Sequence, residues 1–184
     1  HAIETPKGHT VISAPTYPML KVAQRRFFEA APRKLITSIN KTVKEVGWFN
    51  GHLTEFITAS DPDSYRGLGL TFFWGDECAL FDKDVFLNVK AALADRRGRM
   101  ILTTTPRGLH GWVRELVGDA ENDWVLQHEQ WVKHRHVKRS LELIRFTSYE
   151  NGYIPHEEFH ELKTIYDDDF YRQEVLGEFI NRGL

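Results

Sequence analysis

The chain has 184 residues, 27% charged and 41% hydrophobic, with a formal net charge of −2. That length supports one domain with a sizeable core, or one domain plus a small appendage, in an ordinary globular composition. No apolar run reaches membrane-spanning length, the single cysteine, Cys78, excludes an internal disulfide framework and fits a reducing compartment, and the charge balance excludes a global electrostatic footprint for nucleic acid.

In chain order, Thr10 to Ala14 (TVISA) is a β-branched run that predicts a buried strand. Pro15-Thr16-Tyr17-Pro18 predicts a loop, because a proline biases the residue before it away from helix. From Met19 to Ala31 the apolar residues recur at helical spacing, with Leu20, Ala23, Phe27 and Phe28 on one face and Pro32 as the stop. Val43–Phe49 and Leu53–Ile57 flank Asn50-Gly51, a hairpin signal with positive φ expected at both central positions. That hairpin is expected to decorate the main sheet. Asp61 to Gly67 (DPDSYRG) reads as a turn or short helix.

Leu70 to Leu80 (LTFFWGDECAL) follows, an aromatic-rich strand that ends in two adjacent carboxylates, Asp76 and Glu77. Asp82 can cap a helix through Val85, Phe86, Val89, Ala92 and Leu93, closed by Arg96-Arg97-Gly98. Met100 to Thr104 predicts another buried strand, leading into Thr105-Pro106-Arg107-Gly108, and a helix is expected from Gly111 to Val117. Asn122 to Arg139 carries no clear period and ends in the basic run Lys133–Arg139. Leu143 to Tyr149 predicts a strand, and Pro155 to Phe179 two short helices divided near Asp167-Asp168-Asp169. Strands alternating with helices argue for a mainly parallel three-layer α/β sheet. The expected division is a core over residues 1–149 and a small helical subdomain over 150–184.

An acidic pair at the carboxyl end of a buried strand sits where open α/β sheets bind ligands. It matches the Walker B pattern of P-loop ATPases, in which the first carboxylate holds Mg²⁺ through its water shell. The second orients and deprotonates the attacking water. The same pair also suits a solvated helix start, where negative charge is favoured. Thr104 and Thr105, at the neighbouring strand end, could sense a γ-phosphate, or simply close a β-branched strand before Pro106. His134 and His136 could ligate a metal but lack a third ligand in the sequence. The Lys133–Arg139 run could touch a DNA backbone, or be a solvated face.

Taken together, APTYPMLK (Ala14 to Lys21), the Asn-Gly hairpin, DPDSYRG, the strand ending in Asp-Glu, LTTTPRG (Leu102 to Gly108), SYENGYIP (Ser148 to Pro155) and FYRQEVLGEF (Phe170 to Phe179) resemble the large terminase subunit of tailed bacteriophages. The resemblance covers nearly the whole chain. It implies a RecA-like ATPase domain of the additional-strand, catalytic-glutamate class with a small C-terminal lid. It further implies coupling of ATP hydrolysis to translocation of double-stranded DNA into a procapsid. The implied cofactors are ATP and Mg²⁺. The implied partners are DNA, further copies in a homo-oligomeric ring, a portal protein and a small terminase subunit, in the host bacterial cytoplasm and without a membrane.

By the same resemblance, Asp76 is the Mg²⁺-associated residue, Glu77 the catalytic glutamate, and Thr104 and Thr105 the coupling motif. Arg66 would act in trans, as an arginine finger on a neighbouring subunit's nucleotide; without that context it is a surface arginine paired with Asp61 or Asp63. Apart from the resemblance, Tyr17 could pack near the nucleotide or be a loop tyrosine that covers the core. No G-x-x-x-x-G-K-[ST] occurs in the sequence. The resemblance places that loop, with its strand, upstream of His1, and a nuclease domain beyond Leu184. Two rival readings are a superfamily-2 helicase core, since Asp76-Glu77-Cys78-Ala79 echoes a DExx box, and an inactive P-loop-like assembly or DNA-binding module.

Overall fold

The β-branched run near residue 10 becomes β1 (His9–Ala14), a central strand, in a computed structural model that describes residues 1–42, 44–135 and 140–181. The chain divides into two compact units, His1–Thr104 and Thr105–Leu184, so the boundary expected after residue 149 falls inside the second.

In the first unit β1 leads into α1 (Tyr17–Ala30), which begins two residues before the expected start. Pro18 occupies the first turn, where a missing N–H costs no hydrogen bond. Then follow β2 (Ile36–Asn40), β3 (Glu45–Trp48), β4 (Leu53–Thr58), β5 (Phe72–Asp76), α2 (Lys83–Ala94) and β6 (Arg99–Thr103). The sheet order is β2-β3-β4-β1-β5-β6, with β4, β1, β5 and β6 parallel and β2 and β3 antiparallel at one edge. The expected hairpin is therefore part of the main sheet: β4 pairs with β1 along its whole length. Only Gly51 of the turn has positive φ, with its N–H donating to the Trp48 carbonyl, so the loop is longer than the two-residue turn expected. Asn50 instead uses its amide to bind the Ala2 and Ile3 carbonyls. Val43, the expected start of the first strand, lies outside the described residues.

Side chains alternate across the sheet. Ile12 and Ala14 of β1 join Leu20 and Ala23 of α1 with Val46, Trp48 and Phe56 in one apolar cluster. Val11 of β1, Phe73 of β5, and Val85, Val89 and Leu93 of α2 are also fully or nearly fully buried. Fully burying one such side chain contributes about 1.5–3 kcal/mol, so this packing, more than local propensity, holds the layers together. Asp82 caps α2 as expected, accepting from the Asp84 N–H.

At the opposite end of the sheet from Asp76, buried His52 donates from Nδ1 to the Thr5 carbonyl (2.8 Å), while its Nε2 accepts from the Thr10 hydroxyl (2.9 Å). Burial holds its pKa below 6.5, helped by the nearby charge of His9 and opposed by the Thr5 bond. A depressed histidine pKa means that the unfolded chain binds the proton more readily, so its contribution is complete above 6.5 and is lost as the pH falls below it. Glu55, lowered chiefly by its hydrogen bond from His9, keeps its contribution to more acidic pH. Thermal unfolding should thus show Tm falling between about pH 7.5 and about pH 5.5, and His52→Gln should flatten that fall. A wild-type Tm that is constant across the window would contradict this account.

The second unit contains α3 (Trp112–Val117), β7 (Trp124–Gln127), β8 (Gln130–Lys133), α4 (His156–Ile165) and α5 (Asp168–Glu174). The unclear stretch after Asn122 is a two-stranded antiparallel hairpin whose turn residues, His128 and Glu129, both have positive φ. Its turn lacks glycine and asparagine, so no sequence signal marked it. The strand expected over Leu143–Tyr149 is absent. Leu143 to Thr147 has no ladder partner among the described residues, and Ser148–Glu150 forms a 3₁₀ turn with a Thr147/Glu150 capping box. Polar residues face inward here. Arg145 lies 3.5 Å over the Trp131 ring and donates to Glu121, while Ile144 and Phe146 face solvent. Asp167 caps α5 by accepting from the Phe170 N–H (2.7 Å).

Candidate active site

Parallel pairing sets Asp76 of β5 opposite Thr103 of β6. The Thr103 hydroxyl donates to Asp76 Oδ1 at 2.7 Å and accepts from Trp74 Nε1 at 3.0 Å, forming a Trp74–Thr103–Asp76 chain. A carboxylate held by a hydroxyl on the adjacent strand loses rotamer freedom, which points its other oxygen in a defined direction. Thr103 was not singled out from the sequence. Its signal was available in the three-threonine run, but which member reaches Asp76 depends on strand register.

Glu77 follows in the left-handed conformation (φ 54°), as the residue leading into a 3₁₀ turn over Cys78–Leu80. A non-glycine residue there costs free energy, and such outliers cluster at functional sites. The positive φ turns the chain sharply after the strand. Gly75 permits the close packing below the two acids: a Cβ there would meet Phe73, Leu102 and Phe81 at 2.9–3.0 Å. Thr104 accepts from the Ala79 N–H at 3.3 Å, tying the end of β6 to the turn after Glu77. Of the three threonines, Thr103 thus contacts the acid and Thr104 the following turn. Thr105 opens the second unit.

Cys78 is buried, and burial pushes its thiol up to about 12, with the Glu77 and Asp76 charges adding. It is therefore a packing residue, not a nucleophile. Tyr17 lies beyond the carboxyl end of β1, the same end of the sheet as Asp76. Its half-exposed ring carries the Lys21 and Lys44 ammonium groups at 4.8 and 4.3 Å. Arg66 ends a 3₁₀ turn over Pro62–Tyr65 and pairs with Asp63 at 2.8 Å, both side chains about 70% exposed.

A carboxylate and a hydroxyl are hard oxygen donors of the kind that suits Mg²⁺ held through its water shell, so the residues at the end of β5 and β6 fit that ion. Among the described residues no cluster of three or more His, Cys, Asp or Glu side chains forms a direct metal site. His136 and residues 137–139 of the basic run lie outside the described residues. No described helix is long and apolar enough to cross a membrane.

The family model described as terminase large subunit, T4likevirus-type, N-terminal, matches residues 1–184. No curated protein matches. Among solved structures, the large terminase ATPase domain of Thermus phage P74-26 is similar, with a TM-score of 0.75 and 19% identity over 96% of this chain and 78% of that one. The large terminase of another thermophilic bacteriophage, in complex with ADP, has a TM-score of 0.72 and 14% identity over 98% of this chain and 42% of that one. Its complex with ATP-gamma-S gives 0.69 and 13%, over 97% and 41%. This chain spans less than half of that protein. At these identities the likeness establishes the fold, a mainly parallel six-stranded α/β sheet shared with large terminase ATPase domains.

Proposed function

We propose, since this chain belongs to the T4likevirus-type terminase large subunit family, that it forms the ATP-hydrolysing part of a motor that drives double-stranded DNA into a viral procapsid. The observation that carries this reading is the Thr103–Asp76 hydrogen bond at the ends of two parallel strands, with Glu77 inverted immediately after it. A helicase core is less well supported, because the family match covers the chain from end to end.

In this reading Asp76 would hold Mg²⁺ through its water shell, Thr103 fixes that carboxylate, and the ion would supply charge neutralisation at the phosphates. Glu77 orients the attacking water and takes its proton. Thr104 links the strand end to the turn carrying Glu77, so movement at one is felt at the other. Arg66 reaches the nucleotide of a neighbouring copy in a ring, and Tyr17 lies beside the nucleotide. The portal protein, the small terminase subunit and the host cytoplasm complete the proposal.

The phosphate cradle is not among these residues, since no G-x-x-x-x-G-K-[ST] occurs. Among the described residues β6 has a strand neighbour on one side only. We place the strand bearing the cradle on its open edge, beside Thr103. Residues 1–184 alone should then hydrolyse ATP no faster than background. A protein that adds the upstream strand and loop should show magnesium-dependent turnover. Robust turnover by residues 1–184 alone would overturn this assignment of the cradle.

A further inference from the structure

Tyr65 and Arg66 are neighbours with opposite fates: Tyr65 is 0% exposed, while the Arg66 side chain is 69% exposed. We propose that Tyr65 is the positioning residue for Arg66, fixing the turn from which the exposed guanidinium projects. The proposal rests on the reading of Arg66 as a group that acts on a neighbouring copy's nucleotide.

The Tyr65 hydroxyl is hydrogen-bonded to the Ser13 hydroxyl at 2.9 Å, and Ser13 is itself 0% exposed. Ser13 stands opposite Gly75 in the β1–β5 register, one residue before Asp76. One buried bond therefore joins the Arg66 turn to β1, the strand paired with the one that ends in the acids. A phenylalanine would fill the same space, so the hydroxyl's function is directional: a buried hydroxyl needs its partner at a fixed place. Burial pushes the phenol up to about 12, which keeps it protonated, and the bond intact, at any working pH.

Four further contacts hold the Pro62–Tyr65 turn. The Tyr65 ring meets Phe73 of β5 edge-on, with centroids 5.9 Å apart. Asn88 of α2 donates to the Pro62 carbonyl at 2.8 Å. The Asp61 carboxylate accepts from the Asp63 N–H and the Ser64 hydroxyl. A turn so fixed allows Arg66 to swing only about its own side-chain torsions, which reduces the entropy lost when it engages a phosphate.

The test uses the complete large subunit assembled as its active ring. Tyr65→Phe should lower kcat on the order of tenfold with KM for ATP unchanged, within the roughly 100-fold that an ångström of misplacement can cost. Ser13→Ala should do the same, and the double variant should be no worse than either. In an Arg66→Ala background Tyr65→Phe should have no further effect. Independently of activity, trypsin cleavage of the native protein after Arg66, followed by mass spectrometry, should accelerate several-fold in Tyr65→Phe. A kcat loss that persists in full in the Arg66→Ala background, or an unchanged cleavage rate, would overturn the proposal. Normal activity of Arg66→Ala would instead overturn the role of Arg66, and the cleavage rate would still report whether Tyr65 holds the turn.

Discussion

Glu77→Gln, in a protein that carries the phosphate loop, is expected to lose hydrolysis while ATP binding stays close to wild type. Glutamine keeps the shape and the hydrogen-bonding reach of the side chain but cannot accept a proton from the attacking water. Removal of a general base costs on the order of 10²–10⁴ in rate. The left-handed backbone at Glu77 (φ 54°) adds a control, because either side chain must occupy it at similar cost, so a change in folding cannot account for the loss. Asp76→Asn should behave differently, weakening Mg·ATP binding together with turnover. Thr103→Val, which removes the 2.7 Å bond to Asp76, should produce a milder version of that second phenotype. Single-turnover hydrolysis and equilibrium binding of a fluorescent ATP analogue separate the two classes. Near-normal hydrolysis by Glu77→Gln would reduce Glu77 to an acid at the start of a turn.

Arg66→Ala is expected to be nearly as severe in the assembled ring, and to be rescued by mixing. A guanidinium against the γ-phosphate stabilises transition-state charge, an effect on the order of 10³–10⁵ in rate. Lysine should not replace it, because it lacks the planar fork of donors. In the structure Arg66 is paired with Asp63, but both groups are well exposed. An exposed pair contributes only about 0–1 kcal/mol, so breaking it to reach a neighbour's nucleotide costs little. Arg66→Ala and Glu77→Gln subunits, each nearly inactive alone, should regain part of their ATPase when mixed. Some interfaces then join an intact Glu77 site to an intact Arg66. Absence of any recovery, with mixed rings verified by native mass, would count against action in trans.

Much of the first unit was legible in the sequence. The aromatic strand ending in Asp76-Glu77, the TVISA strand, both long helices and the Asp82 cap depend on residue type and period over a few neighbours. The linear pattern carries those determinants directly. The second unit was less legible. Its hairpin turns on His128 and Glu129, two residues with no turn preference of the Asn-Gly kind, held in positive φ by their surroundings. The Leu143–Tyr149 segment has the β-branched, alternating look of a strand. However, its inward side chains are Arg145 and Thr147, which bond Glu121 and the Glu129 carbonyl, and no strand among the described residues pairs with it.

By itself, then, the sequence determined the strand–helix alternation and the acidic pair at a strand end, because these follow from side-chain chemistry within about ten residues. Only the tertiary structure decided that β4 lies beside β1, that Thr103 rather than Thr104 holds Asp76, and that Tyr65 is bound to Ser13. Each of these joins residues 27 to 52 positions apart. Strand register places Ser13, Asp76 and Thr103, and a one-residue slip would send such a side chain to the other face of the sheet.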